Sequence, residues 1–190
     1  MTAKLILVRH APPRVDPEVP SPRWVLSDRG RARCGWLADE LAGQGVARLY
    51  ASLEPKALET SALVGLRLGL PTYPREGLQE NDRTGLGFGS IETLEETIAA
   101  FFARPDDLVM GQETARAALG RFEPALRAIV ADAAGETAAV VAHGAVLTLL
   151  VSAHNPVAPF AFWKALTAPA WMALDAETFR LDGDVHRDMG

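Results

Sequence analysis

Along this chain apolar residues follow two rhythms, short unbroken runs and longer stretches in which they return every three or four positions. The unbroken runs read as strands buried on both faces, and the 3.6-residue rhythm reads as helices with one apolar side. Leu5, Ile6, Leu7 and Val8 form the first run, with the predicted strand over residues 4–8. Further strands are expected at residues 47–51, at 72–75 and in the Val-rich run that ends at His143. Helices are predicted from Ser27, whose hydroxyl can cap a first turn, to just before Gly43. A second covers residues 55–68, where Pro55 sits in the first turn and its missing donor is harmless. Residues 91–104 gather Leu94, Ile98, Phe101 and Phe102 on one side of a third helix, and a fourth covers 113–134 with a break or kink at Pro124. A short helix follows His143 as far as residue 151, and residues 171–175 and 178–181 read as edge strands of a hairpin. Strands alternating with helices predict an α/β layer arrangement, and the length fits one domain over residues 1–190.

Composition narrows this picture by exclusion. With 48% hydrophobic and 23% charged residues, the chain has the balance of an ordinary globular protein. Its longest apolar stretch, residues 138–153, contains His143 and falls short of the ~20 residues a spanning helix needs. The first run is too short for the core of a signal peptide, so no membrane partner is expected and a cytoplasmic location is the default. A formal net charge of −5 speaks against a nucleic-acid partner, and functional cations must therefore be local. The single Cys34 permits no intramolecular disulfide; it shares a helical face with Leu37 and Leu41 and reads as core. Pro12, Pro13, Pro17, Pro20 and Pro22 exclude regular helix from residues 11–22 and leave a loop. The GLGFGS run, residues 85–90, is a flexible connection and not a phosphate loop, since no Lys-Ser/Thr pair follows it.

Candidate chemistry stands where two strands stop. The first apolar run ends abruptly at Arg9 and His10, and the run before His143 repeats that grammar, followed by Gly144 and a second apolar run. In open α/β sheets ligands bind outside the carboxyl ends of the strands. Two of the four His in the chain, each delivered at a strand end, therefore point to a shared site if the strands are neighbours.

These segments resemble the histidine phosphatase superfamily, the phosphoglycerate mutase-like proteins. LILVRHAPP is similar to that family's first strand with its Arg-His pair, and LSDRGRARCGWLADEL to its first helix. YASLEPKALETSALVG resembles the segment Ser-Ser-Pro-x-x-Arg-Ala-x-x-Thr-Ala, GLQEND the loop with the acidic residue, and VVAHGAVL the strand of the second His. The resemblance covers most of the chain in the right order. It implies a three-layer αβα sandwich with a mostly parallel central sheet.

It also implies a reaction, phosphoryl transfer, with a role for each residue. His10 is the expected nucleophile, attacking through one ring nitrogen while the other keeps its proton, and a phosphohistidine intermediate follows. Arg9 offers a planar fork for phosphate oxygens, His143 a further hydrogen bond, and Gly144 room for a backbone amide to approach. Glu80 is the expected acid for the leaving oxygen and the later base for water, with Asp82 as its competitor. The chain departs from the pattern at two points: Lys56 stands where the family has its second phosphate-clamping Arg, and Leu53 replaces the Pro after Ser52. Lys keeps the charge and loses the bidentate fork. Arg14 or Arg83 is a possible substitute clamp from the loops.

The reading is a phosphomonoesterase that needs no cofactor and no metal, acting on a small phosphorylated molecule or a phosphoprotein. The alternatives are a phospholigand-binding module with weak or no turnover and a phosphohistidine protein phosphatase. A mutase is disfavoured because the short chain offers little material for a lid against water. Trp24, Phe88, Phe160, Phe162 and Trp163 are either an apolar wall of the site or core. Substrate identity and oligomeric state are not legible.

Overall fold

The structure is a computed structural model and describes residues 4–85 and 90–188. Most of the expected GLGFGS connection, with Phe88, lies outside the described residues. Six strands form one sheet: β1 (Lys4–Arg9), β2 (Val46–Ser52), β3 (Thr72–Arg75), β4 (Thr137–Ala142), β5 (Ala170–Asp175) and β6 (His186–Arg187). They lie in the order β3-β2-β4-β1-β5-β6. The four strands from β3 to β1 run parallel, and β5 and β6 are antiparallel to their neighbours.

Helices cover both faces, as an α/β sheet with fully apolar strands requires. Along β1 the side chains alternate between the layers. Ile6 and Val8 pack with Cys34, Leu37 and Leu41 of α1 (Asp28–Ala42) and Val64 of α2 (Pro55–Leu68). Leu5 and Leu7 join the opposite core with α3 (Ile91–Ala103), α4 (Ala115–Ala133) and α5 (Gly144–His154). The chain thus leaves β1 toward one face and the adjacent β4 toward the other. That divergence opens a crevice at their carboxyl ends.

The start of α1 shows how tightly the loop after β1 is held. Ser27 Oγ accepts the Gly30 N–H at 3.0 Å and donates to the Pro12 carbonyl at 3.0 Å. A Cβ on Gly30 would lie 2.1 Å from that carbonyl oxygen, so only glycine fits there. Cys34 is buried as expected, and burial pushes its thiol pKa up to about 11.

The structure departs from the sequence reading in five places. Residues 178–181 form no strand: Asp175 Oδ1 accepts the N–H groups of Glu177 and Thr178 and closes a turn, leaving a single bridge between Leu174 and Leu181. β5 pairs antiparallel with β1 on one side and with β6 on the other, so it is not an edge strand. Of the break or kink expected at Pro124 the break is absent: helix α4 runs on through it, with Phe122, Leu126 and Ile129 buried on either side. Helix α5 runs three residues past 151, and α6 (Pro159–Ala165) was not anticipated. Phe160, Phe162 and Trp163 of α6 are partly buried against the core that includes Leu5 and Leu7. Among the described residues no helix is long and apolar enough to cross a membrane.

Candidate active site

Arg9 ends β1 opposite Ala142, the last residue of β4, so His10 and His143 emerge side by side. Their ring centroids are 5.2 Å apart with planes at 60°. The N–H of His10 extends the ladder to the Ala142 carbonyl at 3.0 Å. His10 Nδ1 lies 2.7 Å from the Ala11 carbonyl, which can only accept, so Nδ1 carries the proton and Nε2 is left with a lone pair. Ala11 is itself fixed by its N–H to Thr60 Oγ1 at 3.0 Å, and Thr60 in turn donates to the Lys56 carbonyl at 2.7 Å. Helix α2 therefore orients the His10 ring through two intermediates.

His143 is held by different atoms. Its Nε2 is 2.8 Å from Ser52 Oγ at the end of β2 and 3.5 Å from Glu54 Oε1, while its Nδ1 is buried with no partner among the described residues. Burial holds the pKa of both imidazoles well below the usual range, and the cations around them act in the same direction. For His10 burial is followed by His143, Lys56 and Arg9; for His143 by Lys56, Arg83, Arg121 and Arg9. Both rings are neutral at pH 7.

Glu80 caps the helix that follows His143. Its carboxylate accepts the N–H groups of Ala145 and Val146 at 3.1 Å each and pairs with Arg83 at 3.4 Å. Burial raises its pKa, but Arg83 and the backbone N–H donors of Ala145, Val146 and Asn81 outweigh that and hold it below the usual carboxylate value. Arg121 fixes the loop, donating to the carbonyls of Gly77, Gln79 and Glu80 and pairing with Glu113. Asp82 is exposed and spends its carboxylate on the Thr84 N–H.

Arg9 donates to the Leu166 carbonyl through one terminal nitrogen, while its Nε is buried and unpartnered. Burial lowers its pKa, and the nearby Glu80 charge works against that. A Cβ on Gly144 would come within 3.3 Å of Arg9 Cζ and Nε and of Trp163 Nε1. Glycine there admits the guanidinium and the indole, a closer approach than the one foreseen for a backbone amide.

Lys56 is buried and bears on both imidazoles, yet its ammonium is occupied: it donates to the Ser21 carbonyl at 2.7 Å and pairs with Glu54 Oε2 at 2.5 Å. Arg83 belongs to the site through Glu80 and Asn81. Arg14 is exposed and its N–H bonds the Val25 carbonyl; its guanidinium is not among the cations that act most on either ring.

The structure therefore brings Arg9, His10, Lys56, Glu80, His143 and Gly144 to one crevice, while Arg14 and Asp82 are exposed. Sequence reasoning missed Ser52, Glu54, Thr60 and Asn81. Ser52 and Thr60 left a trace as matches to the family segment, and Glu54 left one because the proline displaced to Pro55 makes it the residue before α2. The Glu54 side chain caps no N–H of its own helix and is free to turn into the crevice. Among the described residues, no three His, Cys, Asp or Glu side chains gather in a metal-binding arrangement.

Paired imidazoles among buried cations at the switch point of an αβα sheet define a class. This chain belongs to the Histidine phosphatase superfamily (branch 1), whose sequence profile matches residues 5–180. Among solved structures it is similar to YhfR of Bacillus stearothermophilus, with 22% identity, a TM-score of 0.77, and 99% of this chain and 98% of that chain covered. It is also similar to a mycobacterial glucosyl-3-phosphoglycerate phosphatase (21%, TM-score 0.72, 98% and 99%). A third is the alpha-ribazole phosphatase of Shigella flexneri (18%, TM-score 0.73, 97% and 96%). No curated protein sequence matches the chain. At these identities the structural likeness establishes the fold.

Proposed function

We propose that this chain hydrolyses a small phosphomonoester through a phosphohistidine on His10, without a metal or other cofactor. The observation that carries the reading is the pair of neutral rings 5.2 Å apart, one with Nδ1 tied to a carbonyl and Nε2 left as a lone pair. Unpartnered buried nitrogens on Arg9 and His143, with Asn81 beside Glu80, support it further. Buried N–H donors without partners cost stability and make sense where a ligand completes them.

His10 Nε2 donates its lone pair to phosphorus as the ester P–O bond breaks, and the leaving oxygen takes a proton. Arg9, and Lys56 once released, offset charge on the equatorial oxygens, and His143 supplies a hydrogen bond there. Water then attacks phosphorus, the P–N bond breaks, and inorganic phosphate leaves with His10 restored. Glu80 receives the proton of that water. Because Glu80 is a carboxylate in the free protein, the proton for the first step arrives with the substrate: a phosphomonoester has a second pKa of about 6, so its monoanion carries one.

The similar structures named as phosphatases support hydrolysis over mutase chemistry for this chain. A binding module without turnover is the second reading, favoured by the neutralisation of Lys56 by Glu54. Hydrolysis of an aryl phosphate separates them. The wild-type protein is expected to turn over and His10→Ala is not, with acid-labile, base-stable label trapped on His10 by rapid quench. Equal rates for the two proteins would leave only the binding module, and an active enzyme without trapped label would remove the covalent route.

A further inference from the structure

Glu54 occupies the place where an incoming anion would take hold of Lys56. Its side chain is 7% exposed and engaged on three sides. Oε2 receives the Lys56 ammonium at 2.5 Å, Oε1 receives the Glu80 N–H at 2.8 Å, and Oε1 also lies 3.5 Å from His143 Nε2. These contacts come from three elements: α2, the loop after β3, and the end of β4. Facing it are Lys56 from its own helix, His143 from the β4 end, and Glu80 with its Arg83 partner from the loop; Arg9 and His10 stand beyond them on β1.

Charge makes the consequence sharp. Arg9, Lys56 and Arg83 are the cations at the crevice, since Arg121 is already matched by Glu113, and Glu54 and Glu80 oppose them. A tetrahedral dianion entering here would bring its oxygens against the Glu54 carboxylate in a water-poor site, where like charges repel strongly. Adding one proton to Glu54 removes that repulsion, frees the Lys56 ammonium, and turns an acceptor into a donor toward the anion.

Resting on the reading of this crevice as a phosphate site, we propose that Glu54 is a proton-operated gate on Lys56. Ionised, it holds the ammonium closed, and it must take up a proton before a dianion can be clasped. Burial raises the Glu54 pKa, with Lys56 pulling it back, which brings that proton within reach. Glu54 thereby sets the pH range over which the site accepts its ligand, and it selects for substrates that arrive under mildly acidic conditions or carry a proton themselves.

The test uses sulfate, which stays a dianion from pH 5 to 8 and so adds no titration of its own. Binding is followed by calorimetry on the full chain, in two buffers of different ionisation heat to count protons. Wild-type affinity is expected to weaken as pH rises, by up to about tenfold per unit for the single proton of Glu54. Glu54→Gln keeps an acceptor for Lys56 and cannot ionise. It is expected to bind sulfate about tenfold or more tighter than wild type at pH 7.5 and to take up one proton fewer, any contribution of the imidazoles being common to both proteins. Glu54→Leu, if folded by thermal melting, is expected to show the same loss of proton uptake. Equal affinity and equal proton uptake in wild type and Glu54→Gln would overturn the gate alone. No binding of sulfate or inorganic phosphate by either protein at any pH would overturn the phosphate site and the gate with it.

Discussion

His10 and His143 arrive by the same route, each one residue past a buried parallel strand, and the molecule treats them differently. His10 is tied at Nδ1 to the carbonyl of its own neighbour, and that neighbour is tied to α2 through Thr60. His143 is tied at Nε2 to a hydroxyl on a different strand and faces a carboxylate, with Nδ1 unpartnered. The backbone brings the rings together, and the choice of ring nitrogen separates their work. A ring anchored through Nδ1 to a carbonyl presents a lone pair, the requirement for a nucleophile. A ring anchored to a hydroxyl can exchange roles with it as charge builds, the requirement for a hydrogen-bond partner of a transferring group.

The strongest way to break this division is to remove each ring in turn. His10→Ala is expected to lower kcat for an aryl phosphate by about 10⁴-fold or more, as loss of a nucleophile does. His143→Ala is expected to cost about 10²- to 10³-fold, the size seen on losing one donor to a developing charge. It is also expected to leave phosphohistidine on His10 detectable in single-turnover quench. Comparable losses with no label in the His143 variant would erase the distinction.

Ser52→Ala acts on one side of the comparison only. It deletes the 2.8 Å partner of His143 Nε2 and leaves the tether of His10 intact. The expected loss in kcat/KM is about tenfold, the upper range for one neutral hydrogen bond. The rate of His10 labelling by a saturating substrate falls less. A loss as large as that of His143→Ala would mean that Ser52 touches the substrate itself.

What the chain disclosed in advance divides along similar lines. Strands β1 and β4 and helices α1 and α2 were legible because local rules agree with the tertiary outcome: unbroken apolar runs, Ser27 as a cap, Pro55 in a first turn. The meeting of His10 and His143 was legible because a strand end is a fixed address in an α/β sheet. The contacts of Ser52 and Glu54 with His143 were not, since they rest on distances across the chain that no periodicity encodes. Glu80 illustrates the middle case. Its place near the site was readable from the loop, whereas its anchoring on the amides of Ala145 and Val146 depends on where α5 begins relative to β3. Helix α6 was hidden by its brevity, Pro159–Ala165, since seven residues fall short of two full turns and set no period.

The smallest effect concerns stability. Both imidazoles are buried and neutral, with folded pKa values held well below the ordinary 6.5 to which they return on unfolding. Below about pH 6.5 the unfolded chain therefore binds more protons than the folded one. The contribution of the two rings is fully present above that pH and is lost progressively as pH falls below it. Glu80, with its lowered pKa, adds a loss of the same sign further down, as pH drops below its ordinary value of 4.5. Glu54 runs the other way: its raised folded pKa makes its contribution present below 4.5 and lost as pH rises through the folded value. Between pH 7.5 and 5.5 the rings dominate, and Tm is expected to fall by a few degrees, the shift that about 1 kcal/mol produces in a domain of this size. His143→Gln keeps the polar contact with Ser52 and removes one titrating ring. Its Tm is expected to fall less over the same interval, and by a wider margin than for His10→Gln, because the hydrogen bond to the Ala11 carbonyl works against the lowering at His10 while the causes at His143 all lower it. A Tm that declines as steeply in His143→Gln as in the wild type would show that the ring beside Ser52 is not held neutral by its burial, and would remove the electrostatic half of the contrast between the two histidines.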